Sequence, residues 1–312
     1  MATPTEYRST DASAPVLTGE VGKLNALLKA ILVDGYGAKS AAGWTMPYNS
    51  GTDYAMFRQG AGLQHYLWCN DTNAQMSRLV GYVTASSHTA GTNPFPTETQ
   101  FSAGLYARKS ITASATARPW ICWATDKHFA LFILGGSTVL TTPGGGDSHV
   151  FFGQMYAPAL SGDVFHSLLI AASDTSTTST AGAITRQVLT PLGLTLAGHY
   201  MPQSYTQSGG AINVGKRANQ IYAQSQSGGS GGSAYPEPCS GGLHLSRMSI
   251  LETALPNRGY LPGIWSVGHS YSNFTHLDTL TGNSTLSGKS FTLVGNSAGA
   301  ASCVAIETNG GW

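Results

Sequence analysis

The stretch that most constrains the fold is Ala117–Gly136, ARPWICWATDKHFALFILGG, which reads as two strands joined at Asp126-Lys127. Apolar side chains occupy both sides of each strand. Trp120, Trp123, Phe129 and Phe132 therefore give this hairpin the best claim to the centre of a sheet, where large aromatics dominate burial. Most of the remaining chain repeats the theme. DYAMFR, LQHYLWCND, LVGYVT, SAGLYARKSIT, SHVFFGQMY, DVFHSLLIAAS and AITRQVL read as strands, the last followed by TPLGLTLAGHY, and GGLHLSRMSILE, GYLPGIWSVG, KSFTLVG and SCVAIET follow near the end. TNAQMSR, between two of them, reads as one or two helical turns. The expected fold class is mainly β, with antiparallel, β-sandwich-like sheets and one N-terminal amphipathic α-helix.

That helix is expected over residues 19–34. Leu24, Leu27, Leu28, Ile31 and Leu32 form one apolar stripe, while Lys23, Asn25 and Lys29 lie off it and suit water. Thr18 is the expected N-cap, Glu20 stands in the first turn, and Gly35 is the left-handed residue at the C-terminal end. The helix is expected to cover the face of a sheet through Leu24, Leu28 and Ile31.

Residues 1–15 are polar and carry Pro4 and Pro15, so they read as an extended arm that reaches another chain. Residues 16–202 form the helix and β-rich body. Residues 203–238 are Gly/Ser-rich and read as a loop or linker. Residues 239–312 form a C-terminal β segment packed with the body, and the terminal Trp312 is expected to be docked.

Composition narrows the function. Charged residues are only 10% of the 312, against the usual quarter, and glycines number 39. A surface so short of charge is suited to being covered by partner chains. The net charge of +1 favours neither nucleic acid nor an anionic membrane. No apolar run approaches the length of a membrane span, and the N-terminus lacks the apolar core of a signal peptide. Cys69, Cys122, Cys239 and Cys303 are widely spaced and fit no zinc pattern. The first two and Cys303 sit in apolar runs, as buried free thiols do.

No cofactor motif is present. The nine histidines show no metal-ligand spacing, although His269 and His276 share a loop. Gly295-Asn296-Ser297-Ala298-Gly299 matches the nucleophile-elbow pattern, but no His or Asp follows Ser297 in the chain, so the motif reads as a hairpin between C-terminal strands. The carboxylates are spread singly and do not mark a glycosidase pair. Exposed aromatics remain as contact candidates. Pro4, Tyr7 and Arg8 in the arm and Phe95, Tyr271 and Phe274 in loops are the expected oligomer or partner contacts.

The running text APVLTG…ILVDGYG…AAGWT, YAMFRQG, LVGYVTASSHTAGTNPFPT, ARPWICWATDKHFALFIL and LPGIWSVGH…AIETNGGW resembles a group of virion structural proteins of tailed bacteriophages. The resemblance covers roughly 14–312 and is weakest over 203–238. It implies a non-enzymatic structural component of the virion, tail or baseplate associated, made in the host bacterial cytoplasm. The implied partners are copies of the chain itself and other virion proteins. The alternatives are a receptor- or glycan-binding tail protein, with a host surface glycan as partner, or a head decoration or collar protein. A glycan depolymerase or esterase ranks last.

Overall fold

A computed structural model describes residues 2–102, 104–172, 197–218, 234–252, 257–269, 273–296 and 302–312. In chain order its elements are β1 (Thr5–Arg8), α1 (Lys23–Lys29), β2 (Thr45–Ser50), β3 (Tyr54–Arg58), β4 (Tyr66–Asn70) and β5 (Met76–Tyr82). The short β6 (Thr84–Ala85) and β7 (Gly91–Thr92) precede β8 (Leu105–Arg108), β9 (Trp120–Ala124), β10 (His128–Ile133), β11 (Ser148–Gln154) and β12 (Ser167–Ala172). Then come β13 (Ala197–Met201), β14 (Ile212–Asn213), β15 (Gly215–Ala218), β16 (Leu245–Leu251), β17 (Asn257–Val267), β18 (Thr279–Thr281), β19 (Ser290–Asn296) and β20 (Ser302–Glu307). The large sheet runs β1-β9-β10-β11-β12-β8-β5-β4-β3-β2, with β13 and β14 attached at β12. A second sheet runs β15-β16-β17-β20-β19-β18. The described pairings are antiparallel, so the chain is mainly β with antiparallel sheets and, among the described residues, one α-helix, as the patterning implies.

The period of two along each strand separates three apolar layers. On β9–β12, Trp120, Cys122, Phe129, Leu131, Val150, Phe152 and Leu169 face α1 and the first core. Their neighbours Ile121, Trp123, Ala130, Phe132, Phe151, Leu168 and Ile170 face the second sheet, where they meet Met248, Ile250, Ile264, Val294, Val304 and Ile306. The far side of the second sheet carries Trp265, Phe291, Leu293 and Ala305 under Leu243, Leu280 and Leu286. Strands covered on both faces must be apolar throughout, which is why the Ala117–Gly136 hairpin shows no polar face. Its turn lies where expected, with Ala124 opposite Phe129.

Several expectations change in detail. The helical stripe packs into the first core as expected, but α1 starts at Lys23 and ends in a π-type turn, Ala30–Asp34, closed by Gly35 N–H donating to Ala30 O. Thr18 is not its cap. Gly22 takes that position, and the cap itself comes from Asp71, far along the chain, whose Oδ2 accepts from Leu24 N (2.7 Å) and Asn25 N (3.2 Å). Glu20 lies before the helix and accepts from the Thr18 hydroxyl. Asn25 is buried, donating to Thr52 O, because the Asp71 segment closes over that face. Residues 71–75 form a turn organised by the Asn73 side chain, not a helix, and lead directly into β5.

The arm reading is overturned. Residues 5–8 are β1, hydrogen-bonded to β9 of the same chain with Tyr7 opposite Cys122. Tyr7 is fully buried and its hydroxyl donates to Ser40 O at 2.7 Å. This inward aromatic, the backbone pairing with β9, and the bonds that Glu6 accepts from Trp123 Nε1 (3.1 Å) and Lys39 Nζ (2.7 Å, at its carbonyl) hold the short polar strand to the sheet edge. The Gly/Ser-rich stretch 203–238 likewise is not purely linker: β14 and β15 lie within it, one at the margin of each sheet. The predicted strand AITRQVL lies outside the described residues.

Two polar joints tie the layers, and a third fastens strands within the second sheet. Lys109 Nζ, fully buried, pairs with Asp71 and donates to Asn73 O at 2.9 Å, joining β8 to the helix cap. Arg258 of β17 reaches Asp163 of the β11–β12 connection (Nη2 to Oδ2, 2.7 Å), pairs with Glu252 and donates to Gln203 O. Glu307 of β20 pairs with Lys289 and accepts from Trp265 Nε1 at 3.0 Å. Trp312 is docked between the sheets over Gly263, where a Cβ would lie 2.1 Å from the indole, and its Nε1 donates to Glu307 O.

Candidate functional site

The outward face of β3, β4 and β5 is not covered by the second sheet. Register places Tyr54, Met56 and Arg58 beside Tyr66, Trp68 and Asn70, and these beside Arg78, Val80 and Tyr82. The alternation that sends Leu67, Cys69 and Leu79 into the core sends this row to the other face, where Met56 and Val80 are buried and the rings and arginines around them are partly or fully exposed. The row is rich in rings. Trp68 stacks on Tyr54 at 6.2 Å with planes 26° apart, and Arg58 lies over Tyr66 at 5.7 Å.

The chain between β5 and β8 folds over the end of this face and leaves a groove of about 440 Å³. Trp68, Arg78, Val80 and Tyr82 form its floor. One wall is Thr89, Ala90 and Gly91 from the β6–β7 hairpin. The other carries Pro94, Pro96, Glu98 and Phe101. The volume lies in the range of small-ligand sites.

The walls are fixed by hydrogen bonds. Gly81 and Phe95 exchange both backbone bonds (2.9 and 2.8 Å), and Thr84 and Thr92 hydroxyls meet at 2.6 Å. Trp68 Nε1 donates to His88 O at 2.7 Å. Gln100 Nε2 donates to Ala211 O, which ties the second wall to the β13–β14 hairpin. Phe101 rests edge-on against Tyr200 at 6.1 Å.

Arg78 and Glu98 are both exposed, and the ion pairs of the described residues involve neither. Burial, reinforced by the Glu98 carboxylate, pushes the Tyr82 phenol above its ordinary value, so the hydroxyl keeps its proton. The groove thus offers donors from Arg78 and Tyr82, acceptors from Glu98, and ring faces between them.

The residues expected at contacts fall elsewhere. Phe95 lies in the right loop but points the opposite way: it is fully buried, stacked on Phe152 at 6.0 Å. A Cβ on Gly81 would stand 2.3 Å from the Phe95 ring, so the slot exists because residue 81 has no side chain. Pro4 and Tyr7 are buried within the chain, and Arg8 is half-exposed, bonded to Glu6 at 2.5 Å. Phe274 packs on Tyr235 at 5.0 Å and on His269 at 6.0 Å. Tyr271 lies outside the described residues. Among the described residues, these therefore do not form one surface. The groove residues were missed because three separate segments contribute them; the outward alternation of Tyr66, Trp68 and Tyr82 was the available signal.

The other side chains singled out in the sequence make internal contacts where they are described. His269 is fully buried; its Nε2 accepts from His244 N and its Nδ1 donates to Ala234 O, both at 2.8 Å. His276 Nδ1 accepts from Gly295 N, and burial lowers its pKa to about 4. No group of three or more potential metal ligands occurs among the described residues. Asn296 pairs with Ser302 across β19 and β20, so the elbow-like motif connects strand to strand instead of strand to helix; Ser297 lies outside the described residues. Cys69, Cys122 and Cys303 are buried free thiols, and Cys239 is an exposed one. No described helix is long and apolar enough to cross a membrane. Comparison with protein-family models and with curated protein sequences gives no match to this chain.

Proposed function

We propose that the chain is a non-enzymatic structural component of a tailed-bacteriophage virion, tail or baseplate associated, in line with the resemblance of its running text. The observation that carries this reading is the use made of its scarce charges. Two of its buried ion pairs, Lys109–Asp71 and Arg258–Asp163, join segments distant in the chain, and Glu252 and Lys289–Glu307 add shorter-range pairs. Spending interior charge on joints, with both faces of β9–β12 covered, suits a rigid building block. Assembly through an N-terminal arm is dropped, since β1 is committed to its own sheet. Copies and other virion proteins instead meet the folded body, where Val16, Val139 and Val164 stand at least half exposed.

The test is to probe purified phage particles with an antibody against the folded protein, and to weigh the isolated protein in solution. Stoichiometric labelling at the tail or baseplate, with an oligomeric mass, is the expected result. Particles that assemble fully without the chain would sink the proposal.

A further inference from the structure

We infer that the groove formed by Trp68, Arg78, Tyr82, Glu98 and Phe101 is a binding site for a short, uncharged saccharide. Sugar rings have apolar C–H faces and an equator of hydroxyls, so they need flat aromatic surface and mixed donors and acceptors. The groove supplies both. The Trp68 ring is backed by Tyr54 and its N–H is already spent on the His88 carbonyl. What the indole contributes to the groove is therefore apolar surface, held in one orientation. Arg78 and Glu98 place one cation and one anion on the same groove, exposed and unpaired among the described residues. Their charges cancel, so neither an acidic nor a basic ligand gains net attraction. A hydroxyl can accept from the guanidinium and donate to the carboxylate, and an uncharged polyol uses both.

Two further observations separate a saccharide from an extended peptide. β5 has no free edge: it pairs with β4 on one side and with β8 and Phe95 on the other. Strand addition, the usual way a sheet captures a peptide, is closed there. The walls are also pre-set by the Gly81–Phe95 and Gln100–Ala211 bonds. A pre-set groove lowers the ordering cost that otherwise erases the weak affinity of a polar ligand.

The inference rests on the groove and not on any place in a particle, so it is tested on the isolated full-length protein. Neutral oligomers of glucose, galactose, mannose and N-acetylglucosamine are titrated by calorimetry, beside uronic-acid oligomers and a proline-rich peptide of matched length. Saturable binding of at least one neutral oligomer, and weaker binding of the acidic series and the peptide, is expected. Trp68→Ala should weaken it about tenfold. Because Trp68 also packs on Tyr54, the exposed Arg78→Ala and Glu98→Gln serve as variants that leave the melting temperature unchanged, each weakening binding about threefold to tenfold. The inference is overturned by no binding of any neutral oligomer, by preference for the acidic series or the peptide, or by binding indifferent to Arg78→Ala and Glu98→Gln.

Discussion

The two halves of the large sheet share one backbone plan and differ in what covers them. β9–β12 lie between the helix layer and the second sheet, and each residue of β9 and β10 is buried. β3–β5 have the same helix layer on one side, but their other side holds half-exposed rings and two arginines around the buried Met56 and Val80. The first half is a wall of the core and the second is a surface with a floor. Within one sheet, then, the strand pattern separates the part that carries stability from the part free to contact something else.

The largest effect expected from breaking this contrast is at Phe132, between the sheets. Phe132→Ala should cost about 3–5 kcal/mol, read from urea unfolding. Arg258→Ala, which strands Asp163 and Glu252 in the same interlayer region, should cost about 3 kcal/mol. A comparable loss from removing an outward residue of β4 would erase the distinction between the halves.

Acid should act on the buried core faces of both halves. Burial holds the His65 pKa at about 4, lowered further by His166 and pulled back by Asp163, and holds that of His128 at about 3. Both lie below the ordinary value of 6.5, so the stabilising neutral forms are fully present above pH 6.5 and their contribution is lost as pH falls towards 4. His65 alone contributes about 3 kcal/mol to this loss. His65→Phe should shift the acid-unfolding midpoint to lower pH; an unchanged midpoint would show that the ring is hydrated. On the open face, Tyr66→Ala should cost about 1 kcal/mol, and Arg78→Ala should stay within about 0.5 kcal/mol of the parent by thermal melting.

The doubly covered half was the easier to read from sequence. A run such as WICWA or HFALFI has no polar face to misassign, and its turn at Asp126-Lys127 is flanked by strands on both sides. The helix was legible from its leucine stripe, but its cap was not. Asp71 acts across 47 positions, and no local pattern marks that. β1 was hidden for a similar reason: TEYR has one buried side chain, and its partner strand is more than a hundred residues away. The groove was half legible. The proline-flanked loop drew attention to Phe95, but the direction of that ring depends on its pairing with Gly81, which is a tertiary fact. The sugar-contacting candidates Trp68, Tyr82 and Phe101 belong to segments that only the folded sheet brings side by side.

The Gly81 slot couples the two sides of the sheet mechanically. Phe95 enters the core like a tongue, and its neighbours Pro94 and Pro96 are held above the opposite face by that anchorage. The width of the groove is thus set from beneath its own floor. A residue larger than glycine at 81 would displace the tongue and reshape the opening without touching a single lining side chain. Selection acting on the core could in this way retune what the surface accepts.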